Sequence, residues 1–169
     1  MKHIGVFAGV FDPIHLGHTN FVKQTIDKHG LDKMFILVEK NPRYKQCLAS
    51  YEDRIKMAEL ALEDIPQAEI YEGRNESFPI SSNLPAIKSA NPTASIFLLL
   101  GDDVAEHIDE WQDAEELLRG VELVVAKRGQ NSAYSKISSL KVREELKRGN
   151  NEAGLAKKVL DYCTKNKIY

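Results

Sequence analysis

Five short apolar runs, rich in β-branched and aromatic residues, alternate along this chain with stretches of helical pattern. They cover residues 4–8, 34–38, 69–71, 96–100 and 121–126. Strands that alternate with helices build a parallel sheet covered on both faces, because each parallel crossover needs a helix-length connection. A single short apolar run also fits a buried helix, so the prediction depends on the alternation. It indicates an α/β fold: a Rossmann-like, doubly wound, mainly parallel sheet of about five strands with a C-terminal helical segment.

Composition narrows the class of protein further. The chain has 169 residues, 43% of them hydrophobic, and a net charge of −2. This length suits one domain over residues 1–169, and the balanced charge gives no reason to expect a nucleic-acid partner. We expect no membrane segment, because no apolar run approaches the ~20 residues of a bilayer span. Cys47 and Cys163 lie far apart and in no metal-ligand pattern, which predicts a reduced, cytoplasmic protein without a metal held by its side chains.

The join between the first apolar run and the helical pattern at 19–28 carries the most chemistry. Residues 9–18 read GVFDPIHLGH. Free N–H groups at a helix N-terminus after a parallel strand favour bound phosphate. His15 and His18 project to one side of that helix start, and Gly17 permits close approach of a ligand. A surface loop with two solvated histidines is the alternative for so short a string.

A basic, turn-rich segment follows the second run at residues 40–45. Its Arg43 and Lys45 leave the same sheet edge as the histidines, so they are placed to meet a phosphate; a solvated loop fits these residues equally well. Ser50 is predicted to cap the next helix, at 51–63, with Asp53 in the reciprocal capping position.

Two later segments add candidate residues. Asp102 and Asp103 follow the fourth run, where a carboxylate can hold ribose hydroxyls, and Trp111 can stack on an aromatic ring. Helix capping and core packing are the alternatives for these three residues. Near the end, Ser138 or Ser139 is predicted to cap a helix at 140–147, with Arg143 one turn in, where it can grip a polyphosphate.

These motifs resemble a known superfamily. Residues 9–18 match the signature G-x-F-D-P-x-H-x-G-H of the nucleotidyltransferases, which transfer a nucleotidyl group from a nucleoside triphosphate to a phosphate acceptor. Residues 137–143 are similar to its second signature, I-S-S-T-x-x-R, with Leu140 in place of the usual Thr. The resemblance implies that His15 and His18 hold the transferring phosphate.

Within the superfamily, the chain resembles the bacterial nicotinate-mononucleotide adenylyltransferases. Lys45 falls at the position of their phosphate-binding lysine, and Asp103 and Trp111 fall at their ribose-binding and ring-stacking positions. The segment 77–79 precedes a helix that the sequence pattern predicts over 83–90. This segment is similar to their Ser-Tyr-Thr, with Phe78 in place of Tyr. Pro79 departs from the pattern, because it has no N–H to offer a pyridine carboxylate. Residues 160–169 look like the closing helix of this family.

The site follows from this resemblance. It implies the catalytic residues His15, His18, Lys45 and Arg143. It implies for ATP the residues Gly9, Phe11, His15, His18, Gly101, Asp103, Arg128, Ser138, Ser139 and Arg143. It implies for the acceptor the residues Val10, Lys45, Phe78, Ile80 and Trp111.

The implied reaction is adenylyl transfer from ATP to nicotinate mononucleotide, giving nicotinate adenine dinucleotide and pyrophosphate in NAD biosynthesis. Mg²⁺ is expected to be bound through the ATP phosphates. The alternatives are another phosphorylated acceptor, such as phosphopantetheine or nicotinamide mononucleotide, and a non-catalytic nucleotide-binding regulator. Only seven residues separate Gly129 from Ile137, where the family has a longer excursion, so a sixth strand and a homo-oligomer are left open.

Overall fold

A computed structural model describes residues 1–43, 45–126, 137–150 and 154–169 of the chain. Within these ranges it contains one five-stranded sheet whose neighbouring strands are all parallel. The strands are β1 (His3–Gly9), β2 (Lys33–Val38), β3 (Ala68–Ile70), β4 (Ser95–Gly101) and β5 (Val121–Ala126). The predicted sheet is confirmed, and each strand lies within about one residue of its predicted bounds.

Helices connect these strands and cover the sheet on both faces. In the described ranges they are α1 (Leu16–His29), α2 (Tyr51–Leu62), α3 (Pro79–Ala90), α4 (Asp102–Ala105), α5 (Ala114–Leu118), α6 (Ser139–Lys147) and α7 (Lys157–Asn166). A 3₁₀ turn at Ile108–Glu110 lies between α4 and α5. The predicted C-terminal helical segment is therefore present as α7.

Alternating side chains of the strands divide the core into two layers. One layer packs the sheet against α1, α2 and α7, and it includes Phe7, Val22, Ile36, Met57 and Val159. The other packs the sheet against α3 and α5, and it includes Val6, Leu37, Leu84, Leu98 and Leu117. Burying each side chain of this size contributes about 1.5–3 kcal/mol, so both layers hold the strand ends in fixed positions.

The strand order places a crevice beside β1. The order is β3-β2-β1-β4-β5, so the chain winds outward on one side of β1 and then returns to build the other side. Ligands of such sheets bind outside the carboxyl ends of the strands where the winding reverses, which here is between β1 and β4. The histidine motif follows β1 directly and enters this crevice.

Helix α3 begins earlier than the sequence pattern indicated. The predicted helix covered 83–90, whereas the observed one starts at Pro79. Phe78, the N-cap, has a left-handed backbone with φ 52°, and Pro79 occupies the first helical position. Proline is favoured there, because the N–H that it lacks has no partner within the helix. Pro79 thus starts the helix instead of interrupting it.

Among the helices of the described residues, none has both the length and the apolar character that crossing a bilayer requires.

Candidate active site

His15 and His18 stack at the start of α1. Their ring centroids are 3.7 Å apart and their planes are inclined by 24°. His15 is the N-cap: its Nδ1 accepts the Gly17 N–H at 3.1 Å, and Nδ1 of His18 accepts the His15 N–H at 3.1 Å. A nitrogen that accepts carries no proton, so each neutral ring is protonated at Nε2. Both rings are therefore held at the helix N-terminus through Nδ1.

Phe11 packs between His18 and Phe7. Its ring meets His18 edge-on at 5.1 Å and Phe7 edge-on at 5.3 Å. Phe11 is buried and has φ 51°. A Cβ on Gly9 would lie 2.8 Å from this ring, so the turn needs glycine at position 9. Gly9 and Phe11 therefore act on the histidines through packing.

Asp12 joins four parts of the chain at this site. Its side chain is only 4% exposed. Its carboxylate accepts the N–H groups of Leu48 at 2.9 Å and Ala49 at 3.1 Å, and the hydroxyl of Tyr169 at 2.6 Å. The Arg143 guanidinium lies 3.8 Å from the same carboxylate. A buried charge needs this many partners, and here they fix the motif against the rest of the fold.

Helix α6 brings the second motif onto the first. Ser138 caps α6 by accepting the Lys141 N–H at 3.3 Å, which resolves the choice between the two serines. The Ser139 hydroxyl donates to the Pro13 carbonyl at 3.0 Å. Arg143, one turn into the helix, donates to the Asp12 carbonyl. The N–H groups of a capped helix and a guanidinium thus lie beside the histidine motif, a setting suited to polyphosphate.

Arg54 is a structural member of the site that sequence reasoning missed. It is 1% exposed, on the buried face of α2. Its Nη1 donates to the carbonyls of Val10 at 2.7 Å and Glu39 at 2.6 Å, and its Nη2 donates to that of Lys40 at 2.9 Å. It therefore ties together the segments that leave β1 and β2. An arginine spaced with the apolar residues of an amphipathic helix is the signal that could have revealed it.

The connection from β2 to α2 carries Lys45. Lys45 and Arg43 are both exposed. The connection is anchored three residues later, where Leu48 and Ala49 donate to Asp12. Its beginning is anchored by Arg54. Lys45 thus lies on the exposed part of this connection, between the carbonyls held by Arg54 and the N–H groups held by Asp12.

An aromatic pair forms the wall on the α3 side. Phe78 and Trp111 meet edge-to-face with centroids 4.8 Å apart. The Phe78 N–H donates to Oε1 of Glu39 at 2.7 Å. Glu39 was not predicted as a site residue, yet its carboxylate occupies the first N–H donor of α3. Since Pro79 supplies no N–H, the helix start has two fewer donors for an anionic ligand.

Three of the remaining predicted residues, Ile80, Gly101 and Asp103, lie at the start of α3 and at the junction of β4 and α4. Ile80 is 3% exposed, and its side chain packs in the core layer of α3 and α5. Gly101 ends β4 and is the N-cap of α4, and Oδ1 of Asp102 accepts the Asp103 N–H at 3.0 Å in the first turn of that helix. A Cβ on Gly101 would lie 2.6 Å from Oδ1 of Asp103, so glycine leaves room for that carboxylate. Arg128 lies outside the described residues.

Two groups near Asp12 have shifted pKa values. Burial, together with the hydrogen bond to Asp12, raises the pKa of the Tyr169 hydroxyl, which therefore stays a donor. Burial also raises the pKa of the Cys47 thiol. Over the described ranges, no three His, Cys, Asp or Glu side chains come together in a way that could hold a metal.

Comparison with known proteins first identifies the family to which the chain belongs. The profile of the family described as "Cytidylyltransferase-like" matches residues 6–145. The match includes both histidines, Asp12 and Arg143. The fold and the site therefore define a nucleotidyltransferase.

The relatives then narrow the class. A Listeria innocua protein named "Probable nicotinate-nucleotide adenylyltransferase" is 27% identical over 190 residues, covering 100% of this chain and 98% of its own. A protein of the same name from Albidiferax ferrireducens is 33% identical over 133 residues, and the match covers 76% of this chain and 67% of that protein. The chain belongs to the cytidylyltransferase-like family and, within it, to the nicotinate-nucleotide adenylyltransferases, as the sequence motifs predicted.

A solved structure shares the fold. The Plasmodium falciparum nicotinic acid mononucleotide adenylyltransferase complexed with NaAD aligns with a TM-score of 0.80 at 17% identity, covering 100% of this chain and 98% of its own. The Rossmann-like fold predicted from the alternation of strands and helices is thus confirmed.

Proposed function

We propose that this protein transfers the adenylyl group of ATP to nicotinate mononucleotide, forming nicotinate adenine dinucleotide and releasing pyrophosphate. The observation that carries the proposal is the stacked pair His15 and His18, held at the α1 N-terminus through Nδ1, with Arg143 bonded to the carbonyl of Asp12 in the same motif. The names of the relatives support nicotinate mononucleotide as the acceptor.

The chemistry needs no protein nucleophile. An anionic oxygen of the acceptor phosphate attacks the α-phosphorus of ATP, a new P–O bond forms, and the bond to the β-phosphate oxygen breaks. Because the attacking oxygen is already ionised, no general base is required. Catalysis then consists of holding the two phosphates in line and stabilising the charge that develops.

Each residue of the site has a part in this scheme. The Nε2–H groups of His15 and His18 donate to the oxygens of the transferring phosphate. Arg143 and the N-terminus of α6 hold the outer phosphates and the departing pyrophosphate. Lys45, exposed on the connection from β2 to α2, holds the acceptor phosphate.

Mg²⁺ is proposed to arrive with ATP, held by the β- and γ-phosphates and water. The ion would lower the charge of the pyrophosphate as it leaves. Asp12 is ill suited to bind it, since its carboxylate already accepts from Leu48, Ala49 and Tyr169.

One observation favours nicotinamide mononucleotide as a second candidate acceptor. If the pyridine ring lies against Phe78 and Trp111, its carboxylate meets the α3 start, where Glu39 occupies the Phe78 N–H and Pro79 offers none. The N–H groups of Ile80 and Ser81 remain in the first turn, where a helix supplies no acceptors. Because of these donors, we expect kcat/KM to remain higher for nicotinate mononucleotide than for nicotinamide mononucleotide, and the two missing donors make the ratio smaller.

The test is a panel of acceptors offered to purified protein with Mg²⁺ and ATP, with pyrophosphate release as the readout. The panel contains nicotinate mononucleotide, nicotinamide mononucleotide and phosphopantetheine. We expect the fastest release with nicotinate mononucleotide. Pyrophosphate release with phosphopantetheine alone would show that the protein uses a different acceptor. If the protein binds ATP but releases no pyrophosphate with any acceptor, the function as a non-catalytic nucleotide-binding regulator would be favoured.

A further inference from the structure

The geometry points to Tyr169 as a positioning residue that keeps Arg143 available to the nucleotide by occupying the carboxylate of Asp12. Tyr169 lies three residues beyond the end of α7 and 157 residues from Asp12 in sequence. The role of Tyr169 follows from which oxygen of Asp12 each of its four partners contacts. This inference rests on the proposed function, in which Arg143 binds the outer phosphates of ATP.

The end of α7 directs Tyr169 into the site. Lys167 has a left-handed backbone with φ 54°, and the Ile168 N–H donates to the Cys163 carbonyl at 3.0 Å. This is the hydrogen bond of a Schellman-type helix ending, which reverses the chain. Ile168 and Tyr169 then pack against the core layer of α1, α2 and α7. The Tyr169 hydroxyl therefore arrives at Asp12 from a rigid helix.

The two oxygens of Asp12 are satisfied mainly by partners other than Arg143. Oδ1 accepts from Ala49 at 3.1 Å and from Tyr169 at 2.6 Å, and Oδ2 accepts from Leu48 at 2.9 Å. The Arg143 Nη1 lies 3.8 Å from Oδ2, about 1 Å beyond a direct charge-assisted hydrogen bond. Arg143 is instead held by the Asp12 carbonyl.

This division of partners leaves Arg143 able to bind phosphate. A guanidinium carries five N–H donors, so Arg143 can stay anchored through Nη1 and still meet a ligand. Without the Tyr169 hydroxyl, Asp12 would be a buried carboxylate with one donor fewer, and the Arg143 guanidinium lies 3.8 Å from its Oδ2. A closer Asp12–Arg143 pair would satisfy the carboxylate and withdraw the guanidinium from the outer phosphates.

The experiment is Tyr169→Phe, with ATP and AMP binding measured by calorimetry. We expect the Kd for ATP to rise roughly 3- to 10-fold, the effect of one lost hydrogen bond, and the Kd for AMP to stay unchanged because AMP lacks the outer phosphates. In an Arg143→Ala background, Tyr169→Phe should add nothing to the Kd for ATP. Partial unfolding of a variant would raise the apparent Kd for ATP and for AMP by the same factor, so it does not imitate this pattern.

The matched control is Tyr162→Phe. The Tyr162 hydroxyl also donates to a carboxylate, Asp53 Oδ1 at 2.8 Å, but at the contact between α7 and α2. This control should leave both Kd values unchanged. Equal effects of the two tyrosine variants, equal losses for ATP and AMP, or an undiminished effect in the Arg143→Ala background would overturn the role of Tyr169. None of these results depends on the acceptor, so the proposed reaction is tested separately.

Discussion

Nδ1 of His18 accepts the backbone N–H of His15 at 3.1 Å, so each ring of the stacked pair has one nitrogen committed to the helix start. This capping arrangement fixes the tautomer of both histidines before any ligand binds. The Nε2–H donors that we propose for the transferring phosphate are therefore oriented in advance, which is the condition under which electrostatic stabilisation is most effective.

Replacing His18 tests that role. His18→Ala should lower kcat by about 10²- to 10³-fold while changing the Kd for ATP little, because the donor acts mainly on charge that develops in the transition state. Turnover is followed by pyrophosphate release. His3→Ala is the control: His3 bonds the His29 carbonyl at the opposite end of β1. Near-normal turnover of His18→Ala would remove the histidine from the chemistry.

Arg143 is tested by comparing two nucleotides. Arg143→Ala should weaken ATP binding by about 1.5–3 kcal/mol, the value of a hydrogen bond to a charged group, and leave AMP binding nearly unchanged. Calorimetry measures both. If the two nucleotides lost affinity equally, Arg143 would not act on the outer phosphates.

Glu39 should influence the ratio of kcat/KM for nicotinate mononucleotide to that for nicotinamide mononucleotide. Glu39→Gln keeps an oxygen for the Phe78 N–H but removes a negative charge near the proposed carboxylate position. We expect the ratio of kcat/KM for the nicotinate over the nicotinamide substrate to rise roughly fivefold, from about 1 kcal/mol of relieved repulsion.

The control for this charge is Glu76→Gln. Glu76 contacts the same connection through Lys40 and Asn41 but is not bonded to Phe78. Its replacement should leave the ratio unchanged. An equal response of both glutamate variants would show that Glu39 has no specific part in acceptor selection.

Asp53 gives the fold a defined pH dependence. The Ser50 hydroxyl, followed by that of Tyr162, holds the pKa of this carboxyl below its ordinary value of 3.8. A pKa lowered by folding adds stability that is present above the unfolded value and is lost as the pH falls through the folded one. Asp53→Asn should therefore be less stable than the wild type at pH 7, with the difference shrinking below about pH 4. Denaturant unfolding at the two pH values measures this, and a constant difference would contradict it.

The sequence reveals those parts of the site that are local in the chain. Residues 9–18 and 137–143 are continuous motifs, and the alternation of apolar runs predicts that both meet the carboxyl edge of one sheet. The caps at Ser50 and Ser138 are local as well, and both are present.

Other relationships depend on tertiary packing and leave little trace in sequence. Tyr169 and Asp12 are 157 residues apart, and Glu39 and Phe78 are 39 apart, so no periodicity connects either pair. Pro79 shows a different limit of prediction from sequence, because proline is found both after the end of a helix and at its first position. The left-handed backbone of Phe78, which places Pro79 at the first position of α3, is visible only in the structure. Arg54 was hidden because its partners are backbone carbonyls, which any sequence provides.

The most direct test of the proposed function is the ratio of kcat/KM for nicotinate mononucleotide to that for nicotinamide mononucleotide, measured with the unmodified protein at one concentration of ATP and Mg²⁺. Pyrophosphate release gives the rate, and mass spectrometry of the dinucleotide identifies the product. We predict that nicotinate adenine dinucleotide forms and that the nicotinate substrate is used better, by a margin that Glu39 and Pro79 narrow. Equal or better use of the nicotinamide substrate, or no dinucleotide from either, would contradict the assignment.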